Sequence, residues 1–373
     1  PNSQGGGKEM RAHRRLLRPR CYPTGARGFA KARQPQEVVD MGEGGGVVPA
    51  VSWLAAGMTR TATPKGRLTT GIHRLALRDW LLYDPAQAPT TLQLKNEMLG
   101  DPQTRPSVLQ VSPDSRDAQL EVASMIFDHL PRRFPESFTA GNDGSITANA
   151  TGERLEAVGE GAWETVESPL EMASRLVQED FVILRDHTFV AGCVVSSFGR
   201  LAERHGLNLE NIHKRVQGYE KDLHNPVTRF FNGLTVEKPC WRTNWAFTWH
   251  PSLKPHPERY PHRSAFAQGS KTTDSLTFMH DKMDQKGVGD AIWVKVEYQT
   301  FRRLEKNSDC VLFSVRTFVD PLNTIAKYPT AAKMLATNIK SIEGVEFRKY
   351  LGLDDGSVRE RILEYVQAQA TAG

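Results

Sequence analysis

Cysteine is scarce in this chain. Its 373 residues carry four, Cys21, Cys193, Cys240 and Cys310, and no two of them form a Cys-x-x-Cys pair. That excludes the usual ligand spacing of a zinc finger or a ferredoxin-type cluster. Cys193 and Cys310 sit in apolar runs and read as buried free thiols. Long hydrophobic stretches are missing too: none approaches the roughly 20 apolar residues of a membrane span. Residues 42–46 (Gly-Glu-Gly-Gly-Gly) lack the strand and the Gly-Lys-Ser/Thr of a phosphate loop and read as a flexible spacer.

Acidic residues are nearly absent from the start of the chain. Residues 1–36 hold nine of the 48 basic residues and one of the 43 acidic ones, leaving 39 against 42 for the rest. The pI of about 9.0 is therefore mostly a property of the leader, and the remainder has no general nucleic-acid footprint. Residues 1–75 are expected to form a basic, disordered leader. Its Arg-rich, acid-poor composition from Met10 onward matches a mitochondrial or plastid transit peptide. A cytoplasmic location is the alternative if it is only a tail.

Beyond the leader, residues 76–370 read as a single domain of α+β class. Apolar spacing predicts helices around Leu92–Leu99 and around Leu120–Leu130, the second ending at Pro131 and capped by Asp114 or Ser115. Residues 139–166 are Gly-, Asn- and Thr-rich and read as an exposed loop. A short helix is expected over 168–177. Two β-rich runs follow, joined by Asp186, His187 and Thr188 as a hairpin. Then come a helical turn stopped by Gly206, a helix over 219–231 with Pro226 near an end, and a strand over 241–249. Residues 250–287 lack periodicity and read as a long loop, which is usually functional. Two strands and two closing helices end the chain. Two strands, helices, then three strands is the plan of a PAS-type fold, an about five-stranded, mostly antiparallel sheet with inserted helices, a helical N-terminal part and C-terminal helices.

The chemistry-bearing candidates sit inside apolar strands. Glu297, Gln299 and Arg316 lie in strand runs where an ionised group costs several kcal/mol unless paired or used. Strand alternation puts Arg242 and Asn244 on one face, and Lys295, Glu297 and Gln299 on one face of the next strand. Arg242 needs a carboxylate or an anionic ligand, and Glu297 is its expected mate. That pair reads either as an ion pair between strands or as a polar patch beside a ligand. His213 reads either as a structural hydrogen-bonding residue or as a heme ligand, since neutral imidazole is the commonest proximal ligand. His250, His256 and His262 recur every six residues, a spacing that fits neither a helix face nor a strand face, so no metal site is expected there.

Six segments in order carry a resemblance. They are Leu92-Gln-Leu-Lys-Asn-Glu-Met-Leu with His129-Leu-Pro-Arg-Arg-Phe-Pro, Leu176-Val-Gln-Glu-Asp-Phe-Val-Ile-Leu, Asn211-Ile-His-Lys-Arg-Val, Arg242-Thr-Asn-Trp, Val296-Glu-Tyr-Gln-Thr-Phe-Arg-Arg-Leu and Leu312-Phe-Ser-Val-Arg-Thr-Phe-Val-Asp-Pro-Leu. Over about residues 80–350 the chain resembles the heme-dependent oxidative N-demethylase family, whose catalytic subunit is a heme-binding PAS domain. The resemblance implies heme b with His213 as proximal iron ligand, and Asn244 and Arg316 in cofactor binding. It implies Arg242 and Glu297 as catalytic residues in oxidative demethylation of a small secondary amine such as dimethylamine with dioxygen. Electrons would come from a separate flavin and iron–sulfur reductase using NADPH. Three segments depart from the family pattern: Tyr298 stands where the family usually has Arg, residues 195–200 replace a Phe-Pro-Ser-x-Trp segment, and the loop over 250–287 is enlarged. The alternatives are a heme-based gas or redox sensor without turnover, and a heme-free interaction protein on the same scaffold.

Overall fold

In this computed structural model the described residues are 70–371, except 158–162, 164–165, 197–200, 215–218, 255, 262–271, 343–351 and 354–355. The first 69 residues of the leader, most of the altered 195–200 segment, Arg215, Val216 and His262 lie outside them. In chain order the regular elements are β1 (His73–Arg74), α1 (Ala88–Gly100), α2 (Arg105–Val108), β2 (Leu109–Val111) and α3 (Arg116–Arg133). A small meander follows, β3 (Phe138–Ala140), β4 (Ile146–Ala148) and β5 (Glu153–Leu155), then α4 (Pro169–Ser174). Next come β6 (Asp180–Arg185), β7 (Thr188–Cys193), α5 (Leu209–His213), a π turn (Tyr219–Leu223) and α6 (His224–Gly233). The rest is β8 (Cys240–Thr248), α7 (Thr272–Lys286), α8 (Val288–Ala291), β9 (Trp293–Arg303), β10 (Cys310–Pro321), α9 (Pro329–Ser341) and α10 (Gly356–Thr371).

One antiparallel sheet organises these elements, in the order β1-β8-β9-β10-β6-β7-β2. It has seven strands rather than the five expected, because β1 and β2 add two- and three-residue edges too short to show a period of two. Order also begins earlier than residue 76: His73 and Arg74 pair with Trp241 and Cys240, and the His73 ring stacks on Trp241 at 4.5 Å. Asp186 and His187, at φ 44° and 67°, make the two-residue turn between β6 and β7. Both central residues at positive φ match the twist of such a hairpin. The longest pairing joins β9 to β10, from Val311 opposite Arg303 to Pro321 opposite Trp293.

Three segments depart from the sequence reading. The expected loop over 139–166 contains the meander, whose Ile146, Ala148 and Leu155 are buried while its turns are polar. The expected loop over 250–287 contains α7. Met279 and Met283, four residues apart, are its fully buried apolar residues, Leu276 and Phe278 pack on the core partly buried, and Gly287 at φ 78° follows it. Pro131 does not end α3, since Phe134 N–H donates to the Leu130 carbonyl at 2.8 Å and carries the helix to Arg133. Ser115 precedes α3 but makes no side-chain cap; its hydroxyl donates to Ser112 O at 2.6 Å instead.

The sheet is covered on both faces. Val294, Val296, Tyr298, Leu312, Phe181 and Ile183 pack into the main core with α1, α3 and the closing helices. A second cluster on the other face joins Val182, Leu184, Phe301 and Val311 to Phe231 and Leu234. The β9–β10 turn is pinned by α3: the buried Glu121 carboxylate accepts the backbone N–H groups of Glu305, Lys306 and Asn307 at 2.6, 2.9 and 2.9 Å. His129 on the same helix is buried edge-on to Trp80 and Phe134. Burial first, then the charges of Arg302, Arg133 and Arg132, push its pKa from 6.5 down to about 3.

A depressed folded-state pKa means the unfolded chain takes the His129 proton first, so stability falls as pH drops from 6.5 toward about 3. His129→Phe removes that dependence. Its stability relative to wild type should improve by about 1 kcal/mol between pH 7.0 and pH 5.5. Urea titrations at the two pH values measure this, and parallel losses in the two proteins would reject it.

Candidate functional site

The register of β8, β9 and β10 assembles the site. Arg242 lies opposite Gln299, Asn244 opposite Glu297 and Ala246 opposite Lys295. Thr317 lies opposite Glu297 from the other side. Successive residues alternate faces, so Arg242, Asn244, Lys295, Glu297, Gln299 and Thr317 share one face. Arg316, opposite Tyr298, belongs to the other. The sheet therefore brings four of the sequence-predicted residues toward one side and sets Arg316 apart.

Glu297 is 6% exposed, and its carboxylate is held from three directions. Lys295 Nζ lies 2.5 Å from Oε1, while Gln299 Nε2 and Asn244 Nδ2 donate to Oε2 at 2.9 and 3.3 Å. Burial opposes the charge, but Lys295 and the amide donors outweigh it and hold Glu297 below the usual carboxylate range. Lys295, also 6% exposed, is held above the usual lysine range; burial opposes its charge, and Glu297 and then Tyr260 favour it. The carboxylate's ion-pair mate is thus Lys295 rather than the expected Arg242. Spacing explains this: two residues apart on one strand is the same face, and Arg242 stands opposite Gln299.

Polar groups continue along this face to β6. Val195 N–H and Ser196 N–H each donate to the Asp180 carboxylate at 2.9 Å, and the Ser196 hydroxyl lies against Asp180 and 3.1 Å from Thr317 Oγ1. Over the other end of the row, the Tyr260 ring has the Arg259 guanidinium 5.4 Å and the Lys295 ammonium 6.0 Å from its centroid. Buried Arg259 donates to Leu253 O at 3.0 Å and Ser196 O at 3.2 Å.

His213 ends α5, and local hydrogen bonds fix that helix. Leu209 N–H donates to His187 O at 3.0 Å, Asn208 bridges to Thr188, and Asn208 Oδ1 caps the helix by accepting Asn211 N–H at 2.9 Å. The His213 Nδ1 lies 2.7 Å from Leu209 O. A carbonyl only accepts, so Nδ1 carries the proton and the neutral ring keeps its lone pair on Nε2. The half-buried ring stacks on Tyr219 at 4.9 Å with 9° between planes, and Tyr219 stacks in turn near His224. Burial lowers the His213 pKa, the Leu209 carbonyl opposes this, and Arg242 and then Arg204 lower it further. Arg242 and His213 are therefore close enough to act on one another. A neutral imidazole with a fixed tautomer and a free lone pair is what an axial iron ligand needs, so the residues present fit a heme.

Arg316 is 2% exposed and answers to the other layer. Burial lowers its pKa, and Glu179, Asp84 and Asp180 act against that. Burial in turn raises the Glu179 carboxyl despite Arg316, and Glu179 Oε1 accepts Leu82 N–H at 2.7 Å. These contacts tie the segment before α1 to the sheet.

His250 and His256 stack at 3.6 Å, and each Nδ1 accepts a backbone N–H, from Ser252 and Glu258. Among the described residues no three His, Cys, Asp or Glu side chains converge as a metal site, and no helix is long and apolar enough to cross a membrane.

Breaking one member of a buried pair leaves the other charge uncompensated. Lys295→Met should cost about 3–5 kcal/mol of stability, and adding Glu297→Gln should restore part of it. A denaturant double-mutant cycle checks this; purely additive losses would show that the pair is not coupled.

Of these side chains the sequence placed Lys295 on the right face and Tyr219 at a helix start without assigning either a role, and it gave no sign of Arg259 and Tyr260. A family model described as Haem-dependent oxidative N-demethylase, alpha subunit-like matches residues 71–357. That span takes in the sheet, α5 with His213 and the Lys295–Glu297 pair, and the chain belongs to this family.

Proposed function

We propose that the chain binds heme b through His213 Nε2 and oxidatively N-demethylates a small secondary amine with dioxygen. The observation that carries this is the His213 ring, neutral, with its Nδ1 proton held by Leu209 O and with Arg242 nearby. Two strands, a helical insertion and three further strands in one antiparallel sheet support the PAS-type reading. In the net reaction the N-methyl carbon leaves as formaldehyde carrying one oxygen atom, and the amine nitrogen gains a hydrogen in its place. The second oxygen leaves as water, using two electrons and two protons. A bound heme supplies dioxygen reduction and the oxidation of the methyl group. The electrons come from a partner reductase of the flavin and iron–sulfur class, drawing on NADPH.

The chain's own groups prepare that chemistry. Arg242 holds a permanent positive charge on the face of Glu297, suited to developing negative charge on oxygen. It also helps keep His213 deprotonated at Nε2. Glu297 stays ionised, so it is an acceptor for the amine N–H. Asn244 and Gln299 hold Oε2 and fix the carboxylate's orientation. Thr317 and Ser196 extend the polar row away from the apolar cluster, a route along which a proton can be passed.

His213→Ala should fold but lose heme; an unaltered Soret band after gel filtration would overturn the assignment. Glu297→Gln should keep heme and lower formaldehyde release on the order of 10²-fold, while full turnover would remove its role.

A further inference from the structure

The charges around Glu297 do not favour a bare ammonium. Its Oε1 already has Lys295 at 2.5 Å, and its Oε2 is taken by two amide donors. Arg259 lies close enough to act electrostatically on Lys295. Arg259 is itself 6% exposed, and its Nε has no hydrogen-bond partner among the described residues. Arg242 adds another cation to the same face. The second carboxylate of the row, Asp180, is occupied by two backbone N–H groups and the Ser196 hydroxyl. A dialkylammonium entering here brings one more positive charge to a buried place where Lys295 already neutralises Glu297 and Arg259 acts on Lys295, and like charges in a buried region repel strongly.

Resting on the function proposed above, we propose that the substrate is a secondary amine that also bears a carboxylate, an N-methylated amino acid in class. Its ammonium takes the Glu297 oxygen that Lys295 now occupies, and its carboxylate takes Lys295 and Arg259. The exchange keeps the charges balanced, because the ligand is a zwitterion: the one Lys–Glu pair gives way to an ammonium–Glu pair and a carboxylate–Lys pair, with Arg259 gaining an acceptor. Lys295 suits it, because a flexible four-carbon stem carries three donors that can swing between two acceptors. Tyr260, whose ring centroid is 5.4 Å from the Arg259 guanidinium and 6.0 Å from the Lys295 ammonium, borders the place where the new anion sits. Lys295 is then a specificity-determining residue rather than only a structural partner.

The test is calorimetric titration of the heme-loaded full chain at pH 7 with N-methylglycine and with N-methylethylamine, probes of similar size that differ by the carboxylate. N-methylglycine should bind about tenfold or more tighter, the worth of one charge-assisted hydrogen bond. Lys295→Gln should bring the ratio close to one, and Arg259→Met should lower it as well if the first variant does not fold. Equal or tighter binding of N-methylethylamine, binding of neither probe, or an unchanged ratio in the variant overturns the proposal. The Soret band of the same samples separates two failures. A heme-loaded protein that prefers the plain amine sinks only the substrate class, whereas no Soret band sinks the parent reading and this one with it.

Discussion

Everything in this molecule hangs on the alternation of the β9–β10 hairpin inside a sheet that is buried on both sides. A strand with water on one side can send its charges outward. Here Lys295, Glu297, Gln299 and Arg316 have no outward side, and each is less than a tenth exposed. The register therefore sorts charge into two compartments. Glu297 and Lys295 go to the face of His213 and Arg242, and Arg316 goes to the face of Glu179 and Asp84. A one-residue slip would exchange the two sets, carrying the Lys295–Glu297 pair away from Asn244 and Arg316 away from Glu179 and Asp84. The Glu121 carboxylate guards against that slip by binding three consecutive backbone N–H groups of the turn.

The two compartments are not equivalent. Glu297 has a cation at 2.5 Å and two amide donors, and it stays below the usual carboxylate range in spite of its burial. Glu179 has one backbone N–H on Oε1 and a buried arginine nearby, and its pKa rises. Equal burial gives opposite outcomes because direct hydrogen-bonded neutralisation is stronger than a charge acting from further off. A carboxylate that keeps its charge while buried is ready for a ligand; one that is pushed toward protonation is better suited to holding layers together. The Arg316 side ties the segment before α1 to the sheet, and the Glu297 side keeps charge in reserve.

Much of this was legible in the sequence. The hairpin at Asp186 and His187, the strand over Trp241, and the two-faced pattern of β9 follow from period-two alternation, which is a short-range signal. Alternation also showed that Lys295 and Glu297 share a face, so their pairing was open to anyone who compared two residues on one strand before looking across to Arg242. The long-range facts were not legible. The face of β10 that Arg316 takes relative to Glu297 depends on pairing register across a turn, and a count of residues within one strand does not give it. α7 was missed because its apolar residues, Leu276, Phe278, Met279 and Met283, are few and set among polar and charged neighbours, and the meander because its strands are three residues long. Arg259 and Tyr260 come from an irregular segment with no period, and Tyr219 opens a helical segment whose spacing says nothing of the His213 ring it meets.

His213 shows how a functional side chain can be fixed by structure far simpler than the sheet. Its helix has five residues, too short to be stable alone. It persists because the β6–β7 turn holds its first residue through His187 O, because Asn208 caps it, and because Leu209 and Ile212 pack on the second apolar cluster. Leu209, whose N–H is anchored to the turn, also offers the carbonyl that takes the His213 Nδ1 proton. The turn in turn relies on two non-glycine residues at positive φ, a conformation that costs on the order of 1 kcal/mol each. The imidazole tautomer is thus set by a strained two-residue turn more than twenty residues upstream. The same sheet that aligns Glu297 carries that turn at the end of β6, so the ring and the carboxylate are referred to a single rigid frame.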